Sequence, residues 1–236
     1  MKHIPNTITL ANLFCGCLSI VATFSGNIGA AGLLIFLAAI FDFLDGFSAR
    51  LLNAYSELGK QLDSLADIVS FGVAPAMIAF RIMFARQADL PFDWLVYTAF
   101  VMVLFSALRL AKFNIDTRQT EHFIGMPTPA NAMFWASLPL VLRDFTVKEL
   151  TQLEVIMFHP LMIAGFCVLL ASLLVLPIPM LSFKFKSIDF KSNWQQMVFI
   201  WIVLILYFII GVSAIPLGIL MYPLLAFTIR KRKQSI

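Results

Sequence analysis

Four aspartates are spaced so that they can act together. Asp42 and Asp45 stand at i and i+3 at the end of one apolar run, and Asp63 and Asp67 at i and i+4 at the start of the next. On helices those spacings put each pair on one face. Charge at the end of a membrane-length apolar run is costly unless it meets water, a partner or an ion. Four clustered carboxylates without cations would repel one another, whereas oxygen ligands at that density are what hard divalent ions such as Mg2+ require. Residue type and spacing therefore point to a two-metal site, one that could bridge a pyrophosphate and stabilise attacking and leaving oxygens, with one carboxylate doubling as a base. Gly46 and Ala49 belong to the same stretch, where small side chains leave room for a flat ligand against the helix backbone. Arg50 can neutralise a phosphate. Carboxylates serving only as solubilisers or helix caps would need no such register.

The elements that carry these residues are membrane helices. Of the 236 residues, 61% are hydrophobic and 13% charged, and the mean hydropathy is +0.91, well above the range of a soluble domain. The expected fold is an all-α, polytopic membrane bundle, a single domain over 1–236. About eight spans are predicted, near 8–24, 28–50, 64–85, 92–113, 127–143, 155–177, 195–212 and 214–229, since about 20 apolar residues cross the hydrocarbon core. The last two flank Gly211–Pro216 and are alternatively one broken helix. The N-terminus leads into its apolar run with no small-residue cleavage site before Gly26, which predicts a retained first span. Cys15, Cys17 and Cys167 all fall inside apolar runs and read as packing residues rather than a disulfide framework or zinc site.

Lys and Arg fix the expected orientation. With the N-terminus inside, one face collects Lys2, Arg50, Lys60, Arg109, Lys112, Arg118, Lys184, Lys186, Lys191 and the tail Arg230–Lys233, leaving Arg81, Arg86, Arg143 and Lys148 opposite. Both termini and the aspartates are then cytoplasmic. The net charge of +4 suits an anionic lipid surface rather than nucleic acid.

Written out, Asp42-x2-Asp45-Gly46-x2-Ala49-Arg50-x8-Gly59-x3-Asp63-x3-Asp67 resembles, without a gap, the signature of the CDP-alcohol phosphotransferase family. The resemblance implies a six-helix core formed by the first six spans, with two more added. It implies that Asp42, Asp45 and Asp63 ligate one divalent ion, Mg2+ or Mn2+, and that Asp42, Asp63 and Asp67 share a second. It implies that Asp67 is also the general base, that Gly46, Ala49 and Gly59 line the cytidine pocket, and that Arg50 lies near its phosphates. Relatives commonly form homodimers, so a homodimer is implied as well.

Within that family, Pro5 to Asn12, Asp67 to Ala76, Leu108 to Asn114 and Gly125 to Ala132 resemble the membrane-embedded phosphatidylserine synthases, as does the less specific run Ile178 to Lys186. Many relatives carry a second arginine where this chain has Lys112, a change that keeps charge but loses the bidentate fork. Arg109 and Lys112 lie at i and i+3 near the cytoplasmic end of the fourth span. A buried guanidinium beside a metal site seeks an anion, either a serine carboxylate or a lipid phosphate. Asn6, Thr9, Asn12 and Asn131 are polar groups at span ends. Hydrogen bonds to the nucleotide or acceptor, helix capping and interhelical bonding are all open to them.

The expected reaction is transfer of a phosphatidyl group from CDP-diacylglycerol to L-serine in a bacterial cytoplasmic membrane. Glycerol 3-phosphate or inositol phosphate is an alternative acceptor, but either would demand more basic residues than Arg109 and Lys112. A transporter would also contain intramembrane acids; the chain shows no inverted repeat or broken mid-membrane helices. His3, His122 and His159 are not expected to be catalytic, and no Ser-His-Asp arrangement is present or needed.

Overall fold

The chain breaks into helices where glycine, proline and capping side chains interrupt the apolar runs. A computed structural model describes residues 3–115, 125–145, 156–178 and 194–233. Helix α1 (His3–Phe24) ends at Gly26, whose φ of +79° reverses the chain. Asn27 then opens α2 (Ile28–Leu51) by accepting a hydrogen bond from the Ala30 amide at 3.1 Å. After a turn containing Asn53 at φ +48°, Ser56 caps α3 (Glu57–Asp67), its hydroxyl accepting from the Gly59 amide at 3.0 Å.

Helix α3 continues without a break through a π-helical segment, Ile68–Val73, into α4 (Ala74–Phe84). The Ala74 amide bonds to the Val69 carbonyl, five residues back. Pro75 explains the widening. It has no amide hydrogen, and in a regular helix its ring would collide with the Phe71 carbonyl four residues earlier; a wider turn relieves the clash. A 3-10 segment, Asp93–Phe100, leads into α5 (Val101–Ile115). The remaining elements are α6 (Thr128–Phe145), α7 (Pro160–Val175), α8 (Trp194–Ile210) and α9 (Ala214–Lys233), and no strand occurs among the described residues.

Among the described residues, five stretches are long and apolar enough to cross a membrane: His3–Phe24, Ile28–Leu51, Glu57–Phe84, Asp93–Ile115 and Met197–Pro223. The all-helical membrane architecture is as expected, but the predicted count of eight spans is not reached by that measure. The spans expected at 127–143 and 155–177 coincide with α6 and with the 16-residue α7, which lie outside the set. The Met197–Pro223 stretch is not a straight rod either. It turns at Gly211, φ +64°, so that Gly218 meets the Val203 side chain and the Tyr222 ring lies 6.0 Å from that of Phe199. Residues so far apart in sequence touch only if α8 and α9 fold back as a hairpin.

Close backbone approach holds the first helices together, the usual solution where lipid removes any hydrophobic drive between helices. Ala31, Ile35 and Ala38 form the buried face of α2, and the Ser19 hydroxyl bonds across to the Ala31 carbonyl at 2.8 Å. A Cβ on Gly32 would strike the Ala136 carbonyl of α6, and one on Gly16 would come within 2.8 Å of Ser70 Cα in the π segment. Large apolar side chains such as Phe14, Phe24, Leu33, Phe43 and Phe208 point outward, the disposition expected of a lipid-facing surface.

Cys15 and Cys167 are buried and Cys17 exposed. His3 is the exposed first residue of α1, and His159 caps α7, its Nδ1 accepting from the Leu161 amide at 3.3 Å. Lys2, Arg118, His122, Lys148, Lys184, Lys186 and Lys191 lie outside the described residues. Gly32→Ala should destabilise the protein by about 1–3 kcal/mol, as overpacking does, whereas Gly29→Ala, with nothing within 4 Å of a new Cβ, should be neutral or slightly stabilising. Thermal unfolding of the two variants in detergent separates them; equal midpoints would show that the α2–α6 contact is not tight.

Candidate active site

The four aspartates reach one end of the bundle from two directions. Helix α2 delivers Asp42 and Asp45 near its C-terminus, and α3 delivers Asp63 and Asp67 as it runs inward. Ligand oxygens of Asp42, Asp63 and Asp67 all lie within 4.8 Å of one another. Asp42 and Asp63 are half-buried, and Asp67 is only 7% exposed. The Arg86–Asp89 pair lies elsewhere, and among the described residues no lysine or arginine pairs with any of the four. Three converging carboxylates that lack a protein cation fit a divalent ion, whose charge and oxygen preference answer the repulsion.

Asp45 is not part of that group. It is 6% exposed, and its Oδ2 accepts a 2.6 Å hydrogen bond from the Thr9 hydroxyl of α1. Thr9 thus touches Asp45, as a partner of the site. Asn12, one turn further along α1, donates from Nδ2 to Asp67 Oδ1 at 3.4 Å, and its backbone carbonyl accepts from Ser70 Oγ at 3.0 Å. The Asn12 Oδ1 atom is buried with no hydrogen-bond partner, so this amide stands behind Asp67 with one acceptor still to be met.

Beside the aspartates opens a cleft of about 230 Å³. Asn6, Thr9, Asp45, Gly46, Ala49, Arg50, Gly59 and Asp63 line it; Asp42 and Asn12 do not. The small residues act as expected of space-makers: the nearest atom to a Cβ on Gly46 would be Arg50 Nη1 at 3.7 Å, and a Cβ on Gly59 would press on Asn6 Oδ1 at 3.1 Å. Any side chain at these two positions would project into space that Asn6 and Arg50 border.

Pro5, Ala54, Tyr55, Ser56 and Lys60 also line the cleft, and sequence reasoning missed them as site residues. Ser56 was detectable as a cap residue ahead of a charged first turn. Lys60 had a weaker signal, a cation between Gly59 and Asp63, and its Nζ is now seen to donate to the Asn114 carbonyl at 2.8 Å. Tyr55 belongs to the turn that Asn53 makes, which no spacing rule foretold.

The three residues expected to meet the acceptor do not line the cleft. Arg109 is 8% exposed, and its Nη1 donates to the Leu174 carbonyl at the end of α7 at 3.2 Å. Lys112 is exposed. Asn131 is fully buried; its Oδ1 accepts from Trp135 Nε1 at 3.2 Å, and its Nδ2 has no partner.

Comparison with known proteins gives a consistent picture. The sequence profile described as CDP-alcohol phosphatidyltransferase matches residues 2–176. The chain is 41% identical over 150 residues to the CDP-diacylglycerol--serine O-phosphatidyltransferase of Bacillus subtilis, which covers 64% of this chain and 80% of the relative. It is 34% identical over 202 residues to the protein of the same name from Saccharomyces cerevisiae, covering 75% of this chain and 71% of the relative. The archaetidylserine synthase of Methanothermobacter thermautotrophicus is 35% identical over 140 residues, 58% of each chain. With the aspartate register, the cleft and a profile that spans well over half the sequence all in agreement, the chain belongs to the CDP-alcohol phosphatidyltransferase family.

Proposed function

We propose that the protein transfers the phosphatidyl group of CDP-diacylglycerol to the hydroxyl of L-serine, giving phosphatidylserine and CMP, at the cytoplasmic face of a bacterial membrane. The observation that carries the reading is the convergence of Asp42, Asp63 and Asp67 within 4.8 Å beside a cleft walled by Gly46, Ala49, Gly59 and Arg50. The names of the relatives support serine as the acceptor.

Each part of the chain has a role in that reaction. Gly46, Ala49 and Gly59 leave the cytidine room against the backbone, and Arg50 and Lys60 place positive charge where phosphate oxygens would lie. Thr9 holds Asp45 at the cleft wall, and Asn12 orients the Asp67 carboxylate. Asp67 takes the proton from the serine hydroxyl as that oxygen bonds to the lipid-linked phosphorus, while the bond from that phosphorus to the bridging oxygen breaks and CMP departs with the electron pair. Two divalent cations, Mg2+ or Mn2+, held by Asp42, Asp45, Asp63 and Asp67, would supply charge neutralisation for the pyrophosphate. Arg109 serves the carboxylate of the incoming serine. The outward apolar side chains keep the acyl chains in lipid while the headgroup enters the cleft.

Purified protein in detergent, given CDP-diacylglycerol and Mg2+ or Mn2+, should release CMP with L-serine and not with glycerol 3-phosphate, inositol phosphate or no acceptor. Release with another alcohol would overturn serine, and release with none would return the transporter reading. Chelation should abolish turnover, and either added ion should restore it. Asp67→Asn should lower kcat by roughly 10²–10⁴-fold, the scale of a general base, with the protein still folded; near-wild-type turnover would remove Asp67 from that role. Thr9→Val should raise KM for CDP-diacylglycerol, since Asp45 loses its 2.6 Å bond; a KM equal to wild type would show that the bond does not shape the cleft.

A further inference from the structure

The cleft is layered along α1. Asn12 and Thr9 hydrogen-bond Asp67 and Asp45 at 3.4 Å and 2.6 Å, and Asn6 stands at Gly59, where a Cβ would lie 3.1 Å from its Oδ1. The six residues from Asn12 to Asn6 span about 9 Å of helix axis, so Gly59 lies roughly that far outward from Asp67, toward the end at which α1 begins. Ser56 caps α3 at this outer end, and Tyr55 immediately precedes it. Both residues line the cleft.

The backbone on either side of Tyr55 is fixed. Asn53, at φ +48°, turns the chain after α2. The next residue, Ala54, is buried, and its amide bonds to the Ala49 carbonyl at 3.0 Å. On the other side the Ser56 hydroxyl is held by the Gly59 amide at 3.0 Å. Between these anchors the Tyr55 side chain is 68% exposed at the rim of the cleft. Gly46, Ala49 and Gly59 give the same cleft room but almost no surface, and Arg50 and Lys60 give it charge. The ring of Tyr55 is the flat apolar surface it has to offer a planar ligand.

We infer that Tyr55 is the platform on which the nucleobase of the donor stacks, a binding residue that the aspartate spacing does not contain. The inference rests on CDP-diacylglycerol being the donor, as proposed above. That molecule extends in two directions from its phosphates. The acyl chains must stay in the bilayer, so with the phosphates at the aspartates the nucleoside runs the other way, outward past Gly46, Ala49 and Gly59 to the turn that carries Tyr55. A base has a π-face whatever its edge, and an aromatic ring laid on it excludes water from that face. An exposed tyrosine at a membrane surface can also anchor among lipid headgroups, but the place of Tyr55 on the cleft wall favours the nucleotide.

The test is the binding of CDP, which carries the base and both phosphates but no acyl chain, to the full-length protein in detergent with Mg2+, read as a shift in thermal unfolding. CDP should raise the midpoint of the wild type. Tyr55→Leu, which keeps an apolar side chain without a ring, should weaken CDP binding roughly 5- to 20-fold, the lower part of the range for a base on one aromatic ring. It should raise KM for CDP-diacylglycerol by a similar factor and leave KM for the acceptor unchanged. Tyr55→Phe and Tyr55→Trp, which keep a ring, should retain most of the affinity. Equal CDP affinity in the wild type and Tyr55→Leu, or an equal loss in Tyr55→Phe and Tyr55→Leu, would overturn the proposal. So would a KM for CDP-diacylglycerol that rises while CDP affinity stands still, the mark of a ring anchored among lipid headgroups. If the wild type itself shows no CDP-dependent shift, the donor reading fails and this inference with it; which alcohol accepts the phosphatidyl group does not enter.

Discussion

Mutual repulsion among carboxylates at the edge of a low-dielectric bundle is the constraint around which the rest is arranged. Asp42, Asp63 and Asp67 come within 4.8 Å of one another, a separation at which unscreened like charges cannot all persist without a cation. Nothing on the described side chains provides that cation. The helices nevertheless hold the three together, because each aspartate is fixed by the packing of its own helix. Asp42 shares α2 with the buried face of Ala31, Ile35 and Ala38, and Asp67 is held between Asn12 and the π segment. Packing in the first helices thus holds together an arrangement that would accommodate a divalent ion.

Seen from that constraint, the small residues and the π segment have one purpose. Asn12 can reach Asp67 only if α1 lies against the helix that carries it. Gly16, one turn beyond Asn12, is where that helix comes within 2.8 Å of the space for a side chain. The wider turn at Ile68–Val73 sets the direction of everything after Asp67, and it also presents Ser70 to the Asn12 carbonyl at 3.0 Å. Pro75 causes the widening locally, and the active-site geometry uses it. A regular helix through this stretch would turn Ser70 about its axis and uncouple α1 from the helix that carries Asp67.

Much of this was legible in the sequence because it depends on period and residue type. The i, i+3 and i, i+4 spacings of the aspartates, the glycines among them and the length of the apolar runs are all local quantities, and the structure places Gly46, Ala49, Arg50 and Gly59 around one cleft accordingly. What failed to show was whatever depends on which helix lies against which. Asp45 reads in sequence like its three neighbours, yet it is drawn to Thr9, 36 residues away. Asn12 and Asn131 both read as polar groups at span ends, but one backs Asp67 and the other bonds Trp135. The π segment was hidden for a different reason: Pro75 signals a local departure from the α-helix, not which departure it will be. The last two spans read in sequence as either one broken helix or two, and the contacts of Val203 with Gly218 and of Phe199 with Tyr222 decide for the hairpin.

Arg109 is held in a way that its place in the sequence does not announce. In sequence it looks like a cation near the membrane face, for which snorkelling to water is the ordinary explanation. A snorkelling arginine ends in solvent, whereas Arg109 is 8% exposed and bonded to a helix-terminal carbonyl. Burying a guanidinium costs far more than exposing it, so its position must be bought by contacts that several segments supply together. Leu174 and the segment passing at Gly125 are among those contacts, and they come from parts of the chain that share no local pattern. A cation so held has a fixed direction, which a solvated one lacks. The carboxylates gather on the N-terminal helices, whereas Arg109 is anchored by later segments of the chain, a division that no local pattern in the sequence announces.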